Sequence, residues 1–501
     1  MSNEFINICG QFLVQPKNVM WIKYNNGVFT IKLFEFGQPH EFTPVTGNVN
    51  KHLRELRRVM ASLNNSSSPL AFDATNDIIT TECVDDSESD DEIPDLVDDP
   101  ELVESNDYDY CNRVRKELSV ENVTNEDIQT VIDNGILDRL VKILTTSSIP
   151  KTQLAALWAI SNVASGNKEQ STTVLKTGIV PTVVSFMGSA NKEIRSQATW
   201  LLSNLLGDLK GEEKNQVTKT LGFWPSLFCN MTSDDEELLE TSSWCFSNAF
   251  NNFTPTCYIT QALNIIRNVL DNQDCYDDKV VVNLLWGLSY LTNNCNDEII
   301  DMVLNTRGLL HHISGLMDHK PTQIVCIRLI GNFVSGNDDE QTDFVLSANV
   351  VKSLVKCLDS KRTQIRREAC WTLSNIAAGT QTQLDHLLDA GVIEIISDLI
   401  EEETDNGVLK EALYVIYNAI EKGNNEQLTH IVDNGVLDIL VDNMEQYPKM
   451  MLETVSRLLN FDQDCVNLMY ETDGVSAIEK QLENENTEVR ELAQTILSTY
   501  F

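Results

Sequence analysis

From about residue 115 onward, apolar residues recur at helical spacing in blocks that return every forty-odd positions. The clearest blocks are LWAISNVASGN (157–167), WLLSNLLGD (200–208), WCFSNAFNN (244–252), LWGLSYLTN (285–293), IRLIGNFVSGND (327–338), CWTLSNIAAGT (370–380) and LYVIYNAIEKGN (413–424). One position in each lines up as Trp158, Trp200, Trp244, Trp286, Arg328, Trp371 and Tyr414. These lie 42, 44, 42, 42, 43 and 43 residues apart, and Arg457 follows after another 43. A period of that length predicts a stack of repeated two- or three-helix units, in which each unit buries its apolar face against its neighbours.

Between these blocks lie segments such as TVLKTGIVPTVVSFM (173–187), DFVLSANVVKSLVKCL (343–358), HLLDAGVIEIISDLI (386–400) and HIVDNGVLDILVDNM (430–444). Each holds two apolar-periodic runs separated at Gly178, Asn349, Gly391 or Gly435, residue types that tolerate the left-handed backbone closing a helix. VIDNGILDRLVKIL (131–144) has the same form, and VRELAQTILSTY (489–500) reads as a closing helix. The pattern predicts an all-α, right-handed armadillo-repeat superhelical solenoid of about nine or ten repeats over residues 115–501, the terminal repeats serving as caps.

The chain ahead of the array reads differently. NVMWIKYNNGVFTIKLFEF (18–36) places two aromatic and β-branched runs around Asn25-Asn26-Gly27, a hairpin signal. Gly47 ends a third candidate strand, and Leu53, Leu56, Val59 and Met60 give residues 52–63 an amphipathic helical face. Residues 1–64 are therefore expected to form a small β-rich domain. Residues 65–114 read as a disordered acidic linker, because Glu82 to Asp109 holds 14 acidic residues, no basic one, and little apolar surface to offset chain entropy.

Charge narrows the classes of partner. With 75 acidic against 37 basic residues the net charge is −38, which repels nucleic acid and anionic membrane and steers cationic peptides inward. The twelve cysteines are scattered without a CxxC pair, as suits reduced thiols. There is no HExxH, P-loop or GxSxG pattern, no secretory leader and no run of eighteen apolar residues, so neither enzyme, metal site, cofactor nor membrane span is expected.

The candidate chemistry is the recurring Trp-x-x-x-Asn. Trp158/Asn162, Trp200/Asn204, Trp244/Asn248 and Trp371/Asn375 are four residues apart, hence on one helix face. In a single repeat a core indole and a satisfied polar residue would explain such a pair. Recurrence argues for more, because Asn is a mediocre helix former and five of the seven tryptophans occupy this one position. An Asn amide can clamp a peptide main chain, and indoles can hold Lys or Arg stems with about 0.5–2 kcal/mol of cation–π attraction each. Carboxylates at Asp208, Glu368 and Glu411 are placed to select the charged head.

At these residues the chain resembles importin-α, the nuclear-import adaptor family, over roughly 115–501. The likeness extends to Tyr290 in place of Asn, to Arg328 in place of Trp, and to the GN, GD, GND and GT flanks. The resemblance implies a major localisation-signal site of Trp158, Asn162, Gly166, Gln197, Trp200, Asn204, Asp208, Trp244 and Asn248. It implies a minor site of Tyr290, Arg328, Asn332, Glu368, Trp371, Asn375, Glu411, Tyr414 and Asn418. Tyr414 departs from the family's usual Trp and Ser171 from its usual Thr. The family also opens with an Arg/Lys-rich segment that recruits importin-β and folds back into the groove. Residues 1–110 hold no such cluster, which argues against importin-β recruitment and autoinhibition. The hairpin, EFTPVTGN (41–48) and SDDEIPDLVDD (89–99) are similar in order to the β subunit of the nascent-polypeptide-associated complex, implying a partner subunit of that type.

The reading that follows is a nuclear-import adaptor of cytoplasm and nucleus whose partners are proteins carrying Lys/Arg-rich localisation signals. The alternatives are a nascent-chain chaperone subunit with an armadillo docking arm, and a general armadillo scaffold, which leaves the Asn ladder unexplained.

Overall fold

The structure is a computed structural model that describes residues 100–120, 123–250, 256–293, 295–336 and 338–501, with side chains from residue 106 except at 256 and 257, together with the backbone of five short strands between residues 6 and 42. Among those strands, Val19–Asn25 and Val28–Glu35 pair antiparallel with Asn25 opposite Val28, and Gln38–Phe42 pairs with the second. The helix expected over 52–63 and the linker over 65–99 lie outside the described residues.

The remainder is helical and repeats in triplets. Asn125–Asp133, Ile136–Thr146 and Pro150–Ala164 make the first complete one. Lys168–Lys176, Val180–Phe186 and Lys192–Asp208 make the next. The form recurs to Gln463–Glu471, Gly474–Lys480 and Thr487–Tyr500. Most triplets have two short helices and a long third one; ahead of Asp278–Thr292 the single helix Thr256–Asp271 and a 3-10 turn stand where the two short helices would be. The break between the short helices is left-handed where expected, as at Gly391 (φ 67°) and at the non-glycine Asn349 (φ 56°). A side-chain acceptor opens many of the long helices: Asn191, Asp277, Asp405 and Asn486 each accept a first-turn N–H. Asp235 does the same for Leu238 N at 2.9 Å and also pairs with Lys192.

One boundary is corrected. Residues 100–114, expected to end a disordered linker, belong to the helix Pro100–Glu117, and Cys111 (0 % exposed) and Val114 are buried against the array. This helix packs on Pro150–Ala164 as the third helix of one triplet packs on that of the next. Asp109 and Glu117 are exposed and Asp107 is half-buried, while Cys111, Val114 and Leu118 are in register for burial, a spacing that net charge conceals.

The chain divides into two compact units, residues 1–209 with 216–242 and residues 210–215 with 243–501. In the first, Pro100–Glu117, Pro150–Ala164 and Lys192–Asp208 pack in succession. In the second the succession runs Asp278–Thr292, Gln323–Val334, Thr363–Ala377, Asn406–Lys422, Pro448–Phe461 and Thr487–Tyr500. Leu, Ile, Val and Ala fill the spaces between them, including Leu157, Ile160, Leu201 and Leu205 in the first unit and Ile327, Ile330, Leu373 and Ile416 in the second, all fully buried. Among the described residues no helix is long and apolar enough to cross a membrane.

Candidate functional site

The long helices carry the tryptophan row. In the first unit Trp158 and Trp200 are 40 % and 46 % exposed, although each is flanked on its helix by fully buried leucines. Trp244, Trp286, Trp371 and Tyr414 in the second unit are half-buried. The rings therefore lie at the edge of the packed layer with one face reaching solvent. Trp224, outside the row, is a core residue at 2 %.

The row begins one repeat earlier than the sequence reading placed it. Arg115 precedes Trp158 by 43 residues, and its guanidinium carbon lies 4.5 Å from the centre of the Trp158 ring. Arg328 repeats the arrangement, 43 residues before Trp371 and 5.2 Å from its ring. Lys410 lies 5.9 Å from the ring of Tyr414, one turn along the same helix. Stepping back by one period from Trp158 would have found Arg115 in the sequence.

The amides take a different part from the one expected. Asn204 Nδ2 donates to the Ser161 carbonyl at 3.0 Å, Asn332 Nδ2 to the Ser289 carbonyl at 3.0 Å, and Asn418 Nδ2 to the Ser374 carbonyl at 2.9 Å. Asn162 Nδ2 donates to Ser119 Oγ at 3.0 Å. Ser161, Ser289 and Ser374 fall in the last four residues of their helices, where carbonyls are short of intrahelical donors; the Ser374 carbonyl also takes the capping Ala378 N–H at 3.1 Å and the Ser289 carbonyl Thr292 Oγ1 at 3.3 Å. Asn204, Asn332 and Asn418 thus tie the end of the preceding repeat's long helix to their own, which is sufficient reason for the recurrence of the residue. Asn162, Asn204 and Asn418 remain half-exposed, with their Oδ1 oxygens outside these bonds. Asn332 is only 4 % exposed, with little surface left for a ligand. The ladder breaks at Asn375, whose Nδ2 is shielded without a partner. Its acceptor would come from Gly331, where the Trp371 ring packs so closely on the backbone that a Cβ would overlap it.

Other expected residues are also engaged by the fold. Gln197 Nε2 donates to Ser161 Oγ at 2.8 Å. Gly166 leaves room for the side-chain amide of Gln170, whose Oε1 accepts from Asn167 N. Asp208 Oδ2 accepts from Ser171 Oγ at 2.8 Å, and the carboxylate is half-exposed. Trp244 is half-buried, and the Asn248 carbonyl accepts from the buried Lys214 Nζ at 2.8 Å.

In the expected minor site Glu368 is 7 % exposed and held bidentate by Arg328. Its charge is answered from within the chain rather than offered to a ligand. Tyr290 stacks on Trp286 with ring centres 5.8 Å apart. Glu411 is half-buried, and burial pushes its carboxyl above the usual carboxylate range against the opposing pull of Arg367 and Lys410. The rings are thus gathered on the long helices as the pattern implied, while Asn332 and Glu368 are withdrawn from solvent.

A second ladder escaped the sequence reading. Gln383, fully buried, accepts from Thr380 N through Oε1 and donates through Nε2 to the Asp339 carbonyl (3.0 Å) and Asp343 (2.7 Å). Gln427 and Gln341 make the corresponding cross-repeat bonds to Asp385 and Asp301. The signal available was the cap-x-x-Gln spacing directly after the glycine of each block. Among the described residues no group of three or more His, Cys, Asp or Glu side chains is placed to hold a metal ion.

Superposed helix triplets with a partly exposed aromatic row along their long helices define an armadillo-repeat fold. The armadillo/β-catenin-like repeat family matches at residues 124–165, 167–207 and 338–378. Importin subunit alpha-1a of Oryza sativa subsp. japonica is 30 % identical over 285 residues, 56 % of this chain and 52 % of that protein. Importin subunit alpha-3 of Arabidopsis thaliana is 28 % identical over 266 residues, covering 52 % and 48 %. Importin subunit alpha-5 of Arabidopsis thaliana is 30 % identical over 326 residues, covering 64 % and 60 %. The chain spans about half the length of the curated relatives it matches. The crystal structure of an engineered protein superposes with a TM-score of 0.69 at 23 % identity, over 80 % of this chain and 96 % of that one, which speaks to the fold alone. In sequence the chain is similar to importin subunit alpha proteins, and three of its segments match the armadillo/β-catenin-like repeat.

Proposed function

We propose that this chain is a nuclear-import adaptor that holds Lys/Arg-rich localisation peptides against the long helices of its first unit. The observation that carries the reading is the placement of Arg115 over Trp158. A guanidinium already rests on an indole that is 40 % exposed, so the ring face accepts the group a localisation signal would bring. Trp200, one repeat on and 46 % exposed, offers a second ring, and the half-exposed Asp208 carboxylate ends the same helix. The net charge of −38 favours a cationic partner. Half-exposed Asn162 and Asn204, their amide nitrogens bonded to the repeat before, leave Oδ1 to accept a peptide N–H.

In the second unit the Arg328–Glu368 pair occupies the corresponding position at Trp371, so the first unit is the stronger candidate for binding. On this reading the protein works in cytoplasm and nucleus, its partners are the signal-bearing proteins, and an importin-β-type receptor is the remaining partner to test.

The test is fluorescence anisotropy with a labelled Lys-rich peptide and the full chain. Saturable binding should weaken as salt rises and fall by at least about tenfold in Trp200→Ala and in Asp208→Lys. Undiminished binding in both variants would exclude the proposal.

A further inference from the structure

A groove in the second unit has no part in the row of tryptophans. It lies between the turn that precedes Leu309–Gly315 and the helix Asp339–Leu346, with a volume of about 400 Å³. Leu304, Leu310 and Ala348 contribute apolar surface, and Phe344 stands at its side 49 % exposed. An aromatic side chain left half in water at a concave site is the kind of anchor that gains most when a partner covers it.

The charge of the groove runs against that of the chain. Acidic residues outnumber basic ones 75 to 37 overall, yet among the described residues Arg307 and His311 are the ionisable ones lining it. Both are exposed, as is Lys352, four residues beyond Ala348, and none of the three forms an ion pair among the described residues. Arg307 therefore presents five N–H donors to solvent beside an apolar wall.

From this geometry we infer that the groove is a second docking site, for an acidic peptide in which branched aliphatic residues stand between carboxylates. The aliphatic side chains cover Phe344 and the leucines while a carboxylate meets the Arg307 fork. A localisation signal of Lys and Arg has the wrong charge for it, so the two sites select ligands of opposite sign.

A labelled peptide of sequence SDDEIPDLVDD, which has this chemistry and also occurs at residues 89–99, serves as the probe. The receptor is the full chain with Ile93, Leu96 and Val97 replaced by Asp, which removes competition from its own copy. Saturable binding is expected, weakened at least about tenfold by Phe344→Ala or by Arg307→Glu and abolished when the peptide's Ile, Leu and Val become Ser. Binding of the Lys-rich peptide should be unchanged in the two groove variants, which separates this site from the indole row. Both replaced residues are exposed, so thermal unfolding should match the parent chain, and His311→Glu replaces either variant that unfolds early. No saturable binding, or equal binding by parent and variants, overturns the inference.

Discussion

Arg115 and Trp158 are one repeat apart in sequence, and the guanidinium of the first lies 4.5 Å from the ring of the second. The array begins by covering its own first indole with a cation. Any basic ligand must share or displace that contact. Arg115→Ala should therefore tighten a Lys-rich peptide about two- to fivefold, since an exposed cation–π contact contributes about 0.5–1 kcal/mol. Titration of Arg115→Ala against the parent chain checks this. Weaker binding would mean that Arg115 itself touches the peptide.

The Arg328–Glu368 pair should act as a structural clamp. Glu368→Gln leaves the Arg328 guanidinium, 39 % exposed, without its counter-charge and should cost about 1–2 kcal/mol in urea unfolding, less than for a fully buried pair because solvent screens the cation. Combining it with Arg328→Met, which keeps an apolar stem against Trp371, should recover much of that loss. A double variant as unstable as the sum of its parts would show that the two side chains act independently.

Gln383 links two repeats and caps a helix in the same side chain. Gln383→Ala loses the acceptor for Thr380 N and leaves the Asp339 carbonyl with one donor fewer, a combined cost of about 2–3 kcal/mol. Gly379→Ala should destabilise for a related reason, because its Cβ would collide with the Gln383 amide. Chemical denaturation measures both. Wild-type stability in Gln383→Ala would remove the ladder from the account of how repeats adhere.

The pH dependence of one pair has a definite sign. Hydrogen bonds from Arg366, at 2.7 and 2.9 Å, hold the Glu403 carboxyl below its ordinary value, despite the opposing effect of burial. A carboxyl with a lowered folded pKa contributes stability that is complete above the unfolded value near 4.5 and is lost as pH falls through the folded one. The stability difference between parent and Glu403→Gln should be constant from pH 7 to about 5 and shrink below that. A difference that grows on acidification would contradict the assignment.

Much of the array was legible in the sequence because its cause is periodic. A step of 42 to 44 residues fixes which helices are equivalent, and Gly391 or Asn349 marks each break through backbone sterics that need no partner. The row of rings followed from the same arithmetic. Burial and partnership did not, because they depend on what the neighbouring repeat presents. Asn332 and Asn418 occupy equivalent positions, yet one is buried and the other half-exposed.

The sequence by itself determined the repeat, its helices and the face on which Trp158 and Trp200 lie, since spacing along a helix is a local property. Only the tertiary structure decided that asparagine amides donate to carbonyls of the repeat before, that Glu368 belongs to Arg328, and that Phe344 and Arg307 line one groove. Hydrogen bonds and ion pairs between side chains some forty residues apart depend on distances of a few tenths of an ångström. Those distances are set when one layer packs on the next.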